Sequence, residues 1–130
     1  MAISEKVAEL LSSEKKAFAH LAVVLENGTP QCTPVWFDYD GVHIIVNSAL
    51  GRVKDKAMRR YPHVALAISD PNNPYHYVQI RGEVVDISEE GADNMIDHLS
   101  EKYRGTAYAH VKNEVRVTYK ILPSSIQSKF

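Results

Sequence analysis

Ile44-Ile45-Val46-Asn47-Ser48-Ala49-Leu50-Gly51-Arg52-Val53-Lys54-Asp55-Lys56-Ala57-Met58-Arg59-Arg60-Tyr61-Pro62 runs from an apolar strand through a short Ser/Gly turn into a helix with a basic start. Helix N-termini carry partial positive charge and unpaired N–H groups, which favour Asp or Glu in the first turn. Arg52 and Lys54 placed there cost a few tenths of a kcal/mol, roughly, unless an anion sits among them. With an anion present, the N–H groups, the dipole and both cations act in the same direction. The stretch therefore predicts a phosphate site on Arg52 and Lys54, with Lys54 foremost. Lys56, Arg59 and Arg60 are expected to face water, as most Lys/Arg clusters on helices do.

The surrounding composition gives these cations their meaning. The chain has 130 residues, 45% hydrophobic and 24% charged, with a net charge of −1. That size suits one domain with its own core. The near-neutral balance offers no global attraction to nucleic acid or an anionic membrane. Positive charge is local instead: Arg52, Lys54, Lys56, Arg59 and Arg60 stand against Asp55 alone, while acids gather between Glu83 and Glu101. Cys32 is the only cysteine, which excludes an intrachain disulfide and a cysteine-based metal centre. No apolar run approaches membrane-spanning length, and the first residues lack the apolar core of a signal peptide. A cytoplasmic protein is expected.

Outward from the basic helix, the chain reads as strands. Ser4 suits the N-cap of a short helix carrying Val7, Leu10 and Leu11. Ala17 to Leu25 reads as a buried strand, Asn27-Gly28 as a hairpin, and Gln31 to Asp38 as the return strand. Asp40-Gly41 turns into Val42–Asn47, so three strands in two hairpins predict a meander. Pro62 closes the basic helix, and Val64, Leu66 and Ile68 alternate in the next strand. Asp70-Pro71-Asn72-Asn73-Pro74 reads as a rigid loop, and Tyr75 to Ile87 as a long strand bent at Gly82. Ser88 is expected to cap a helix with Ala92, Met95, Ile96, Leu99 and Tyr103 on one side. Val115, Val117, Tyr119 and Ile121 alternate in a last strand, Glu114 to Leu122. Six mostly antiparallel strands and three helices predict a small barrel, with an open sheet covered by helices as the alternative.

Four segments in this order resemble the flavin/deazaflavin split β-barrel proteins of the pyridoxamine 5′-phosphate oxidase-like superfamily. They are Gly28-Thr29-Pro30-Gln31-Cys32-Thr33-Pro34-Val35-Trp36-Phe37 with Asp40-Gly41, Asn47-Ser48 with Gly51-Arg52-Val53-Lys54, Tyr61-Pro62-His63-Val64-Ala65-Leu66, and Tyr77-Val78-Gln79-Ile80-Arg81-Gly82. The resemblance covers nearly the whole chain, 1–130 as a single domain. It implies a mainly β fold, a six-stranded antiparallel split barrel with peripheral helices. It also implies a homodimer with two cofactor sites at the subunit interface. Pyridoxamine oxidases proper carry basic residues on the second strand and a Trp- and Arg-bearing C-terminal segment for the substrate phosphate. Here Thr33-Pro34-Val35 and Arg116-Val117-Thr118-Tyr119-Lys120 stand there instead, and Trp36 is the only tryptophan. The Gly-Arg-x-Lys segment and Trp36-Phe37 look closer to the branch that uses the deazaflavin F420, with FMN as the alternative cofactor.

The resemblance implies cofactor contacts from Asn47, Ser48, Gly51, Arg52, Val53 and Lys54 around the phosphate. Pro34 marks an edge or irregularity, because a mid-strand proline removes a ladder donor. Free backbone at Pro34, Val35 and Trp36 would then meet the cofactor ring, although Trp36 on alternation alone reads as core. Tyr75, Tyr77 and Gln79 share one strand face. Gln79 and Arg81 are candidates to reach the partner subunit's cofactor, and Tyr77 joins Gln79 among the expected cofactor-binding residues. The six histidines form no H-x-x-H or H-E-x-x-H pattern, so no metal is expected. Cys32 reads as small and buried. The expectation is an F420-dependent reductase acting on an unsaturated small-molecule substrate, the hydride chemistry residing in the cofactor. A non-catalytic cofactor or tetrapyrrole binder of the same fold is the alternative from another class. A nucleic-acid-binding barrel is disfavoured by the charge balance.

Overall fold

Asn27-Gly28 forms the hairpin its residues dictate. Asn27 Oδ1 accepts the Thr29 N–H at 3.1 Å, and strands β1 (Ala19–Val24) and β2 (Pro30–Val35) pair antiparallel on either side. The computed structural model describes residues 3–130. Helix α1 (Glu5–Leu10) precedes β1, and Ser4 caps it by accepting the Val7 N–H. After β2 come β3 (Asp38–Tyr39), β4 (Ile44–Ala49), helix α2 (Val53–Arg60), β5 (His63–Asp70), β6 (Asn73–Ser88), helix α3 (Ala92–Arg104) and β7 (Arg116–Lys129). All seven strands join one curled antiparallel sheet in the order β2-β1-β5-β6-β7-β4-β3. No helix among the described residues is long and apolar enough to cross a membrane.

The alternating faces of these strands build the core. Leu21 and Val23 of β1, Leu66 and Ile68 of β5, Val78 and Ile80 of β6, and Tyr119 and Ile121 of β7 are all buried inside the curl. Helix α1 closes one end with Val7 and Leu10, and α2 adds Ala57 and Met58. Each fully buried Leu, Ile or Val is worth about 1.5–3 kcal/mol in apolar transfer. The opposite face of β6 presents Tyr75, Tyr77, Gln79 and Arg81 outward.

The structure departs from the sequence reading in five places. The 31–38 segment is not one strand: it ends at Val35, passes Trp36-Phe37 and resumes as β3, so there are seven strands rather than six. Nor do the first strands form a meander. β2 and β3 are the two opposite edges of the sheet, and the Trp36-Phe37 link carries the chain across the seam where the curled sheet meets itself. Asp70 to Pro74 is a tight hairpin, not a rigid loop, and Pro74 already belongs to β6. Ser88 ends β6, while Gly91 in a left-handed conformation starts α3. Last, β7 runs past Leu122 to Lys129 because Pro123 falls at a register shift opposite Gly82, where a missing ladder donor is tolerated.

Gly82 has the closest surroundings of the chain's glycines. A Cβ there would lie 2.8 Å from both Ile121 Cγ2 and the Leu122 carbonyl oxygen, and the carbonyl belongs to backbone that cannot rotate away. The bend expected at Gly82 is therefore a close crossing of β6 and β7. Gly82→Ala is expected to destabilise the fold by about 1–3 kcal/mol through overpacking, read as a lower urea midpoint at unchanged m-value.

Candidate functional site

The turn between β4 and α2 is held by an acid the basic run conceals. Gly51 takes φ +88°, which suits only glycine, and Arg52 occupies the N-cap with no side-chain cap bond. The capping is done by Asp55, 1% exposed, whose carboxylate accepts the Gly51 N–H at 2.9 Å, the Arg59 Nε at 2.9 Å and the Tyr119 hydroxyl at 2.5 Å. Burial pushes the Asp55 carboxyl up, but the bonds from Tyr119, Gly51 and Arg59 outweigh it and hold it below the usual carboxylate range. Burial and the adjacent Asp55 carboxylate raise the Tyr119 phenol. The first turn thus has its acid, and Arg52 and Lys54 are left over for another purpose.

Both cations line a cleft of about 260 Å³ on the seam, between β2 and the end of β4 that the two-residue β3 leaves uncovered. Pro34, Val35 and Trp36 form one wall, and Asn47 and Ser48 lie at the end of β4. Seven of the eleven expected residues are therefore brought together. Gly51 forms the adjoining turn without lining the cleft. Val53 points to a different groove, with Leu25, Lys56 and Arg60. Tyr77 and Gln79 stand exposed on the outer face of β6, away from the cleft of their own chain. That groove beside Val53, about 510 Å³, and another of about 410 Å³ beside Tyr61, His63 and Arg81 are larger. Size is not the deciding property: the smaller cleft alone combines converging cations with a buried polar atom that lacks a partner.

That atom is Ser48 Oγ. Ser48 is 3% exposed, and its hydroxyl has no hydrogen-bond partner among the described residues. Leaving a buried hydroxyl unpaired costs about 1–3 kcal/mol, so the position favours a ligand that supplies the bond. Asn47 differs. Its Oδ1 accepts from Arg116 Nε at 2.9 Å, and its Nδ2 donates to the Ala92 carbonyl at 3.0 Å and to Thr118 Oγ1 at 3.2 Å. The Asn47 carboxamide fixes α3 to the sheet and aims Arg116 into the cleft.

Lys54 Nζ donates to Thr33 Oγ1 at 2.8 Å, joining α2 to the edge strand β2. Burial pushes the Lys54 ammonium below its ordinary value, and the neighbouring Arg52 pushes the same way. Pro34 stands on the edge strand, as its missing donor requires. Trp36 is half-buried rather than core: its ring stacks on Tyr103 at 5.5 Å between centroids, with 6° between planes. Tyr103 in turn donates to the Ala17 carbonyl at 2.6 Å, and Lys102 Nζ donates to the Phe37 carbonyl at 2.7 Å. Helix α3 therefore staples the seam and holds the Trp36 wall in place. Cys32 is exposed, because alternation on β2 turns Gln31, Thr33 and Val35 partly inward and Cys32 out.

Three contributors escaped the sequence reading. Arg116, 5% exposed, lies on the face of β7 that α3 covers, and alternation with Thr118 and Lys120 reads as a solvent face until α3 is placed. Tyr108 follows α3 on an irregular segment, its N–H accepted by Asp97 Oδ1 at 3.1 Å. Glu114 sits between Arg52 and Arg116, two residues before β7; the Glu-x-Arg spacing is the signal that could have found it. No group of three His, Cys, Asp or Glu among the described residues is arranged to hold a metal.

With the fold and cleft in place, comparison with known proteins gives the class. The pyridoxamine 5′-phosphate oxidase family model matches residues 3–129, and the chain belongs to that family. Its structure is similar to a solved F420 reductase, with TM-score 0.85 and 29% identity over 96% of this chain and 98% of that one. It shares its fold with a conserved hypothetical protein from Mycobacterium tuberculosis (TM-score 0.75, 21% identity, 98% and 85% covered). General Stress Protein 26 from Bacillus anthracis has the fold too (TM-score 0.72, 15% identity, 95% and 91% covered). The split-barrel architecture expected from the sequence is thereby shown. None of the curated proteins matches the chain at a significant level.

The depressed Lys54 makes anion binding sensitive to pH. A bound anion favours the charged ammonium, so binding in the alkaline range takes up a proton, and affinity falls as pH rises through the Lys54 value. Because that value is lowered, the fall is expected at lower pH than an ordinary lysine would give. A pH series of ligand dissociation constants checks this, and Lys54→Arg should move the fall to higher pH.

Proposed function

We propose that this protein is an F420-dependent reductase whose seam cleft grips the cofactor phosphate. The observation that carries the reading is the unpartnered Ser48 hydroxyl, buried beside Arg52 and Lys54 at the start of α2. Fold membership and the likeness to an F420 reductase support it from outside the chain. The donor set fits an anionic group: Lys54 and Arg52 supply charge, Ser48 a hydroxyl, and the Val53 and Lys54 backbone its free first-turn N–H groups. Asn47 acts through Arg116, and Val53 contributes its N–H rather than its exposed side chain.

Bound there, a reduced deazaflavin would supply the hydride for reduction of an unsaturated organic substrate. The chain's own work is binding and orientation. The edge backbone of Pro34, Val35 and Trp36 has hydrogen-bonding capacity unused by the sheet, suited to the polar rim of the ring. Trp36, locked by Tyr103, limits the ring's tilt. We place the active form in the cytoplasm as a homodimer of single-domain subunits. Its outward Tyr77 and Gln79 would then reach the cofactor of the partner copy. FMN is the second reading, favoured by the match to the pyridoxamine 5′-phosphate oxidase family. A non-catalytic cofactor or tetrapyrrole binder would show tight binding without turnover.

Titration of the purified protein with F420 and with FMN tests the reading. F420 should bind in the micromolar range, and Lys54→Ala should weaken it about tenfold or more while leaving the apo melting temperature nearly unchanged. FMN binding without F420 binding would sink the choice of cofactor. Survival of F420 binding within a factor of two in Lys54→Ala would remove the phosphate assignment.

A further inference from the structure

The Arg52 and Arg116 guanidinium groups share one internal carboxylate. Glu114 Oε2 accepts from Arg52 Nη2 at 3.0 Å, and Glu114 Oε1 accepts from Arg116 Nη1 at 2.9 Å and from the Tyr108 hydroxyl at 3.2 Å. Glu114 is brought there by a turn in which Asn113 takes φ +67° and the Glu114 N–H donates to the Val111 carbonyl at 3.1 Å. The Glu114 side chain is 13% exposed, and that of Arg116 is 5% exposed, whereas Arg52 is 55% exposed. A carboxylate bridging two arginines and a phenol has the bonding pattern of a bound anion. The cleft, however, already holds a polar hydroxyl without a partner, Ser48 Oγ, and a third cation, Lys54.

We propose that Glu114 is an internal counter-ion that fills the arginine pair in the free protein and weakens the cleft's electrostatic preference for a doubly charged phosphomonoester relative to a singly charged phosphodiester. An arriving anion meets Lys54 unopposed, but it must draw Arg52 away from Glu114. A second negative charge on the ligand is repelled by that same carboxylate, so charge selects between ligands that differ little in shape. The proposal rests on the seam cleft being the anion site and deepens the cofactor reading. F420 carries a phosphodiester and FMN a phosphomonoester, so Glu114 becomes the residue that disfavours FMN.

Calorimetric titration of wild type, Glu114→Gln and Glu114→Asp with phenyl phosphate and with methyl phenyl phosphate tests it without any cofactor. Glu114→Gln should bind doubly charged phenyl phosphate about three- to tenfold more tightly than wild type at low salt, with a smaller gain for the singly charged ester. The gain should shrink as salt rises. Glu114→Asp, one methylene shorter, should keep most of the discrimination, and it supplies the comparison if the glutamine variant folds poorly. Unchanged or weaker phenyl phosphate binding in a folded variant overturns the proposal, as does the absence of binding to every form. Equal gains for both esters overturn the charge selection. If the gain appears but neither F420 nor FMN binds, the counter-ion stands and the cofactor reading falls.

Discussion

The buried carboxylate of Asp55 holds the site together. It joins the Gly51 turn, helix α2 and strand β7 through three hydrogen bonds, one of them from the core phenol of Tyr119. A buried charge left without such partners would cost several kcal/mol, so the turn is fixed wherever Asp55 is fixed. That one anchor settles where α2 begins, and so where its first-turn N–H groups and the side chains of Arg52 and Lys54 lie. It also removes the electrostatic oddity of the basic helix start. The helix has an acid at its N-terminus, turned inward, and the cations outside are surplus to its stability.

A second constraint is the seam. A seven-stranded sheet curled until β2 and β3 face each other leaves two edges unpaired, and edges carry free N–H and C=O groups. Helix α3 covers part of the gap through Lys102 and Tyr103, and Lys54 bonds the edge strand at Thr33. What remains open is a cleft with unused backbone on one side and cations on the other. Such a place suits a ligand with a flat polar ring and an anionic tail. The proposed F420, and FMN as its alternative, have that shape.

Much of this was legible in the residues. Period-two alternation placed β5, β6 and β7, Asn27-Gly28 placed the first hairpin, Gly82 the bend, and Pro34 the edge. These signals are local, and local physics decides them. The failures have a common cause in long-range pairing. Nothing near Gln31 to Asp38 says that its two halves belong to opposite edges of a sheet. Pro123 reads as a strand end unless the bulge opposite Gly82 is known. Arg116 reads as solvent-facing until α3 is laid over it, and Trp36 as core until the seam is seen. Glu114 and Tyr108 enter the site from a segment without periodicity, where the sequence carries little beyond the Glu-x-Arg spacing.

The central claim is that the Ser48–Lys54 turn and the Pro34–Trp36 edge hold one ligand between them. Backbone amide chemical-shift mapping during F420 addition tests that most directly. The account predicts that the largest changes fall on Ser48, Gly51 to Lys54, Val35 and Trp36. Changes centred instead on Leu25, Asn27 and Arg60, or on His63 and Arg81, would place the ligand in one of the larger grooves and contradict the account.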